Sequence, residues 1–174
     1  MIPVEVAKAT SAVVESQFRL QELHEEDPEA VVVALLDSAK NVVWMSTKLH
    51  PAFYNRPPVK EAFVNAAGRV TEFHLLLDSR ASWNERKRQL PWIADLISNE
   101  HFLVEQSKVP IQHWFLIDWN NFRLEKEHSD DSMKTSNLII WNASLRKDDE
   151  TVKLLIQTLE SKFELWWANG CPVR

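Results

Sequence analysis

Apolar residues recur along this chain in two patterns, one with helical spacing and one with strand spacing. Helical spacing predicts helices over residues 4–24, 28–40, 57–67, 86–99 and 149–169. Short apolar runs predict strands over residues 42–47, 73–78, 101–106, 111–117, 122–126 and 138–141. Pro28 and Pro57 suit the first turns of their helices, and Pro91 predicts a kink or a late start. Gly68 and Gly170 are expected to end the helices before them.

The order of these elements indicates the fold class. Helices alternate with strands in the first half of the chain, and strands cluster in the second half. We therefore expect an α/β fold in which helices sandwich a mixed sheet, with N-terminal helices and a long C-terminal helix. The continuous apolar run at 42–47 is typical of a central strand buried on both faces. The expected organisation is an N-terminal helical segment at 1–27 and one globular unit at 28–174.

Composition excludes several classes of site. Gly68 and Gly170 are the two glycines of the chain, so the sequence contains no glycine-rich loop of the kind that binds phosphate through its backbone. The single cysteine, Cys171, cannot form an internal disulfide, and no zinc-binding spacing occurs. We expect no metal and no cofactor. A cytoplasmic location is expected, because the chain shows neither a signal peptide nor an apolar run of about 20 residues.

Residues 111–125 combine an alternating apolar strand, an aspartate at its end, a turn at Asn120 and Asn121, and a second strand. This segment resembles the core motif of the phospholipase D superfamily, in which a strand carrying H-x-K-x4-D precedes a tight turn. The order of elements over roughly residues 28–169 is similar to one half of that fold. Aligning Asp118 with the motif aspartate places Ile111 at the nucleophilic histidine and His113 at the lysine.

The resemblance implies a familiar fold without its usual nucleophile. Isoleucine has no lone pair, so covalent catalysis lacks a reacting atom at position 111. Strand alternation predicts that four residues share one face of the sheet, namely Ile111, His113, Phe115 and Ile117. The resemblance therefore implies a catalytically degenerate domain.

Asp118 is expected to be structural and to accept hydrogen bonds from the turn at residues 120–121. The alternative is a phosphodiesterase or nuclease with an atypical site around His113 and Asp118. A metal-dependent nuclease would need an acidic residue and a lysine at E-x-K spacing on one strand. Glu105 and Lys108 are one residue too far apart for that spacing.

Two basic segments follow the carboxyl ends of the first two predicted strands of the globular unit, the edge at which open α/β sheets bind ligands. Their cations are Lys48, His50, Arg56, Lys60, Arg80, Arg86, Lys87 and Arg88. If the two strands are neighbours, these eight residues form one surface, here termed the cationic rim. Trp83 and Tyr54 flank it in sequence, and the combination suits phosphate groups or stacked bases.

The sequence thus predicts a binding or interaction module for an anionic ligand, either nucleic acid or a phosphorylated group, or for a partner protein. Active members of the superfamily need two half-sites, so the resemblance also implies a homodimer. Burial of Trp114 or Trp119 between two copies is the expected source of that association. A protein partner could instead contact the aromatic C-terminal segment at residues 166–170.

Overall fold

One mixed sheet organises the part of the chain that the computed structural model describes, which is residues 21–22, 27–125, 137–142 and 150–173. Its strands are β1 (Gln21–Glu22), β2 (Val42–Thr47), β3 (Glu72–Leu77), β4 (Phe102–Gln106), β5 (Trp114–Ile117), β6 (Asn121–Glu125), β7 (Asn137–Asn142) and β8 (Cys171–Pro172). Their order across the sheet is β1-β7-β6-β5-β2-β3-β4-β8. The pairs β2–β3 and β3–β4 are parallel, and the other neighbours are antiparallel.

Proline and polar caps define where most helices begin. The helices are α1 (Pro28–Ser38), α2 (Pro51–Tyr54), α3 (Pro57–Arg69), α4 (Trp83–Gln89), α5 (Pro91–Leu96) and α6 (Glu150–Ala168). Proline occupies the first turn of α1, α2, α3 and α5, where its missing N–H costs no helical hydrogen bond. The Asp27 carboxylate caps α1 by accepting the Glu29 N–H at 3.1 Å.

Apolar clusters cover both faces of the sheet, and β2 contributes to both. Val43 and Met45 belong to a cluster that includes α1 and α3, whereas Val42 and Trp44 belong to a second cluster beneath α6. Alternate strand residues point to opposite faces, so this division confirms that β2 is a central strand buried on both sides. The α/β fold with a mixed sheet between helices is likewise confirmed.

Aromatic rings attach α6 to the second face of the sheet. Phe163 stacks on Trp44 at 4.7 Å between ring centroids and contacts Trp114 at 5.3 Å, while Trp167 stacks on His74 at 4.5 Å. Burial lowers the pKa of His74, although the Glu72 carboxylate acts in the opposite direction. A neutral imidazole therefore belongs to this stack. Each such ring pair contributes roughly 0.5–1.5 kcal/mol beyond its buried area.

Several predicted boundaries were wrong. Gln21–Glu22 is a strand paired with β7 and not the end of a helix, and the rest of the predicted helix over 4–24 lies outside the described residues. The predicted helix over 86–99 is two helices, because Pro91 lacks the N–H needed to continue α4 and instead begins α5.

Gly68 does not end α3, which continues through it to Arg69. The Arg69 guanidinium donates to the carbonyl oxygens of Leu36 and Ala39 at 2.8 and 2.9 Å, at the end of α1. These bonds join α3 to α1 and favour the two additional helical residues, Gly68 and Arg69. Among the described residues, no helix is both long and apolar enough to cross a membrane.

The two glycines provide a matched test of this packing. A Cβ added at Gly68 meets no atom within 4 Å, so Gly68→Ala should raise the free energy of unfolding by about 0.5–1 kcal/mol. A Cβ at Gly170 would clash with the Glu105 carboxylate and lie 3.1 Å from the Trp167 carbonyl oxygen. Gly170→Ala should therefore lower the free energy by about 1 kcal/mol or more. Urea unfolding that shifts both variants in the same direction would contradict this account.

Candidate functional site

Four strand ends meet at one edge of the sheet. Thr47 at the end of β2 is level with Leu77 at the end of β3, and Ser46 pairs with Trp114 at the start of β5. Trp114 in turn pairs with Leu124, near the end of β6. The residues that follow or precede these ends therefore lie side by side, although they are far apart in sequence.

Five charged side chains form a continuous series across this edge, here termed the ionic chain: Arg80, Asp78, His113, Glu125 and Arg123. Arg80 Nη2 lies 2.6 Å and His113 Nε2 lies 3.1 Å from Asp78 Oδ2. On the other side of the ring, His113 Nδ1 lies 3.6 Å from Glu125 Oε2, which is also 3.6 Å from Arg123 Nη1. The series alternates in sign when His113 is protonated, so each charge has an opposite neighbour.

Hydrogen bonding at Asp78 compensates for its complete burial. The carboxylate is 0% exposed and accepts the backbone N–H of Arg80 at 2.8 Å and that of Ile111 at 3.3 Å. Burial alone would raise the pKa of Asp78, but the bonds from His113, Arg80 and Ile111 outweigh it and hold the pKa well below its usual range. Asp78 is therefore a permanent anion at physiological pH.

His113 lies between two carboxylates. Burial lowers the pKa of the imidazole, yet the hydrogen bonds and negative charges of Asp78 and Glu125 exceed that effect and raise it above its ordinary value. Both ring nitrogens face carboxylate oxygens, since Nε2 faces Asp78 and Nδ1 faces Glu125. The two carboxylates thus favour the protonated, cationic form of the imidazole.

The alternation predicted that Ile111 and His113 share one face of a strand, and this prediction was wrong. The strand begins at Trp114, and the backbone before it bonds to side chains: the Ile111 N–H donates to Asp78, and the Gln112 carbonyl accepts from the Ser46 hydroxyl. Ile111 is 4% exposed and packs in the second apolar cluster with Trp114, whereas Phe115 and Ile117 belong to the first.

Asp118 holds the opposite end of β5. Its carboxylate accepts the backbone N–H groups of Lys40, Asn41 and Val42, each at 2.8 Å. The predicted structural role therefore involves the connection between α1 and β2, and the prediction of residues 120–121 as its partners was wrong. Because Asp118 follows β5 and His113 precedes it, about 15 Å of extended strand separates them. They do not form the common site that the alternative required.

The hairpin after β5 has an unusual backbone. Asp118 and Trp119 both have positive φ, at 49° and 59°, a conformation that costs non-glycine residues roughly 1–2 kcal/mol each. The Asp118 hydrogen bonds and an edge contact of Trp119 with Trp44, at 4.6 Å between centroids, offset that cost. Trp119 remains 37% exposed. Trp114, which was expected to need a second copy for burial, is already 0% exposed beneath Phe163.

The two basic segments meet at the same edge as the ionic chain. Arg86 Nε donates to the Lys48 carbonyl oxygen at 2.8 Å, and Asn55 Nδ2 donates to the Gln89 carbonyl oxygen at 2.9 Å. Burial lowers the pKa of Arg86, although the nearby Glu85 opposes the shift. These bonds hold α4 against the loops that follow β2.

The eight predicted rim residues differ in their surroundings. Arg56 pairs with Glu29 at 3.1 Å, Arg80 belongs to the ionic chain, and Lys87 lies over the Trp83 ring. Lys60 and Arg88 are exposed, whereas Lys48 and His50 are half-buried. Trp83 and Tyr54 are both 5% exposed, so the prediction that they could stack on bases was wrong.

The sequence analysis missed Arg123 and Glu125 as members of the site. The available signal was a pair of charges at alternate positions of an otherwise apolar strand, Phe122 and Leu124 being their neighbours. Among the described residues, no group of three or more histidine, cysteine, aspartate or glutamate side chains could hold a metal ion. The predicted absence of a metal remains a prediction.

No family model matches the sequence, and no curated protein matches it either. Among solved structures, the chain is similar to Nuc, a phospholipase D family member from Salmonella typhimurium, with a TM-score of 0.63 and 17% identity over 90% of this chain and 98% of that one. NucT from Helicobacter pylori has a TM-score of 0.56 at 14% identity, covering 89% and 100%.

A third similar structure is that of TrmBL2, an archaeal chromatin protein described as showing a novel mode of DNA binding. Its TM-score is 0.63 at 13% identity, and the match covers 98% of this chain and 60% of that one. At such identities a likeness shows the fold alone. The chain therefore has a phospholipase D-like fold, as the motif resemblance predicted.

The role of Asp118 can be tested by removing its carboxylate. Asp118→Ala leaves three backbone N–H groups without their acceptor and should lower the free energy of unfolding by about 2–3 kcal/mol. Asp118→Asn keeps one acceptor oxygen and tolerates positive φ, so it should lose less. Chemical denaturation of both variants gives the comparison, and an alanine variant as stable as the parent would show that these bonds contribute nothing.

Protonation of His113 should make stability depend on pH in a defined direction. Its pKa is raised in the folded state, so its contribution is complete below the ordinary histidine pKa of about 6.5 and is lost as pH rises through the folded value. The difference in unfolding free energy between the parent and His113→Gln should therefore shrink from pH 6 towards pH 9. The control is His101→Gln, at an exposed position. A difference that grows with pH would contradict the assignment.

Proposed function

We propose that this protein is a non-catalytic, phospholipase D-like module that binds nucleic acid through the cationic rim. The observation that carries the proposal is the engagement of both His113 ring nitrogens by carboxylates. A nucleophilic imidazole needs a nitrogen lone pair directed at the substrate. With Asp78 and Glu125 facing its two nitrogens, the His113 ring directs neither nitrogen at a substrate.

The position that aligns with the superfamily nucleophile supports the same conclusion. Ile111 is buried in an apolar cluster and can neither attack phosphorus nor protonate a leaving group. The edge that would carry the reaction is instead closed by the ionic chain. Binding is the activity that its remaining surface supports, because exposed cations lie beside it in α3 and α4.

Nucleic acid is the ligand class that fits these cations and the structural likenesses together. A phosphate backbone offers a regular series of negative charges to a fixed group of lysines and arginines. The likeness to a DNA-binding chromatin protein is consistent with this use of the fold. A free phosphorylated group would engage fewer of these cations than a phosphate backbone does.

A second candidate is a phosphodiesterase centred on His113 and Asp78, which the 3.1 Å contact between them favours. It requires release of the ring from Glu125 before catalysis. Incubation with bis-p-nitrophenyl phosphate and with plasmid DNA, with and without divalent metal, should give no hydrolysis under the main proposal. Turnover that His113→Ala abolishes would establish this candidate instead.

We also propose that two copies associate. The match to Nuc and NucT covers 98% and 100% of those chains, so the likeness extends over the whole fold of each. Trp119 is the exposed aromatic of the hairpin after the motif strand and would be covered by a partner copy. Light scattering should give twice the chain mass, and Trp119→Glu should return it towards the monomer. A monomeric mass for the unchanged protein would contradict the proposed association of two copies and leave the proposed nucleic-acid binding unaffected.

A protein partner at residues 166–170 has less support. Trp167 stacks on His74, and Trp166 packs against the second apolar cluster. Both rings are therefore used within the chain to attach α6 to the sheet.

The cationic rim is tested by charge reversal at its exposed members. Lys60→Glu combined with Arg88→Glu should weaken nucleic-acid binding at least about tenfold at low salt. The double change should also reduce the magnitude of the negative slope of log affinity against log salt by about 2. The matched control, Lys40→Glu with Lys162→Glu, makes the same change in net charge at exposed positions outside the rim. Equal losses in the two double variants would contradict a localised site.

A further inference from the structure

The cationic rim has positively charged side chains, but the aromatic rings nearest to it in sequence are not accessible. Trp83 and Tyr54 are the aromatic residues nearest to it in sequence, and each is 5% exposed. The Tyr54 hydroxyl is within 3.1 Å of Thr47 Oγ1, and Lys87 lies over the Trp83 ring. Both rings are thus occupied within the fold, and neither can receive a base.

Base stacking is the main source of affinity for single strands. Proteins that bind single strands without sequence preference combine a basic groove with exposed aromatic rings, and each stacked base contributes roughly 1–3 kcal/mol. A rim without such rings lacks the stacking contribution and depends on the attraction of its cations for phosphates. Among the described residues, the exposed aromatic side chain is Trp119, which follows Asp118 at the opposite end of β5 from this edge.

The rim is also held in a fixed arrangement. Arg86 is bonded to the Lys48 carbonyl, and Asn55 joins the start of α3 to the end of α4 through the Gln89 carbonyl. Cations carried on fixed backbone positions complement phosphates that are themselves fixed, as they are in a duplex. A flexible single strand would lose conformational entropy to match the same array, with no stacking to offset that loss.

We infer that the ligand class of the cationic rim is duplex nucleic acid, bound through its phosphate backbone and without preference for sequence. This inference rests on the proposed function and narrows it. The density of charge supports the choice, since a duplex presents about one phosphate per 1.7 Å of axis. The exposed residues of the rim carry no aromatic ring and no amide, and their lysine and arginine side chains match the charge of the phosphate backbone.

Competition binding on the full chain tests the inference. The probes are two fluorescein-labelled DNA duplexes of unrelated sequence, a double-stranded RNA, and oligo(dT) and oligo(dA) with the same number of phosphates. Fluorescence anisotropy at low salt should give duplex affinities within about twofold of each other and at least about fivefold above both single strands. Lys60→Glu with Arg88→Glu should reduce duplex binding and remove most of that preference.

The possible outcomes distinguish a failure of the duplex inference from a failure of the proposed nucleic-acid binding. Oligo(dT) that binds as tightly as a duplex, or a strong preference between the two duplex sequences, would overturn the inference and leave nucleic-acid binding standing. Absence of binding to every probe would overturn both. Equal binding of DNA and RNA duplexes supports the inference, because both present a fixed phosphate backbone.

Discussion

The contact of His113 with two carboxylates joins strand ends that the sequence keeps far apart. Asp78 follows β3, Glu125 ends β6, and the imidazole before β5 lies between them. Burying a carboxylate costs several kcal/mol unless opposite charges and hydrogen bonds compensate for the lost water. Here each buried charge has such a neighbour, and Arg80 and Arg123 end the series. The positions of the surrounding loops, and so of the rim cations, depend on that compensation.

This interaction supports the proposal that the fold here serves binding in place of chemistry. Catalysis at this edge would need a histidine with one nitrogen turned to the substrate and a basic residue beside it. In this chain the aligned nucleophile is an apolar residue of the second cluster, and His113 is committed to holding strands together. The cations that remain exposed in α3 and α4 are the groups through which we propose that the chain binds phosphate. Fold likeness alone would not separate these two uses.

Sequence patterns predicted the elements whose burial is decided locally and missed the contacts that cross the sheet. The strand at β2 and the helix beginning at Pro28 were predicted correctly, because apolar runs and proline placement act within a few residues. The partners of Asp118 lie 76 to 78 residues away in the chain, so turn chemistry suggested the wrong donors. Arg123 and Glu125 were missed for the same reason, since their charge is explained only by His113 and by each other.

The protonation state of His113 is the most direct test of this account. Nitrogen-15 NMR of the imidazole over a pH titration of the folded protein should show both ring nitrogens protonated at pH 6, with the loss of a proton shifted above the ordinary histidine pKa of about 6.5. Both resonances should change in Asp78→Asn, which weakens the bond at Nε2. An imidazole that loses its proton below pH 6.5 would have an unprotonated nitrogen and a lone pair available for reaction. That result would contradict the binding-only interpretation of this site.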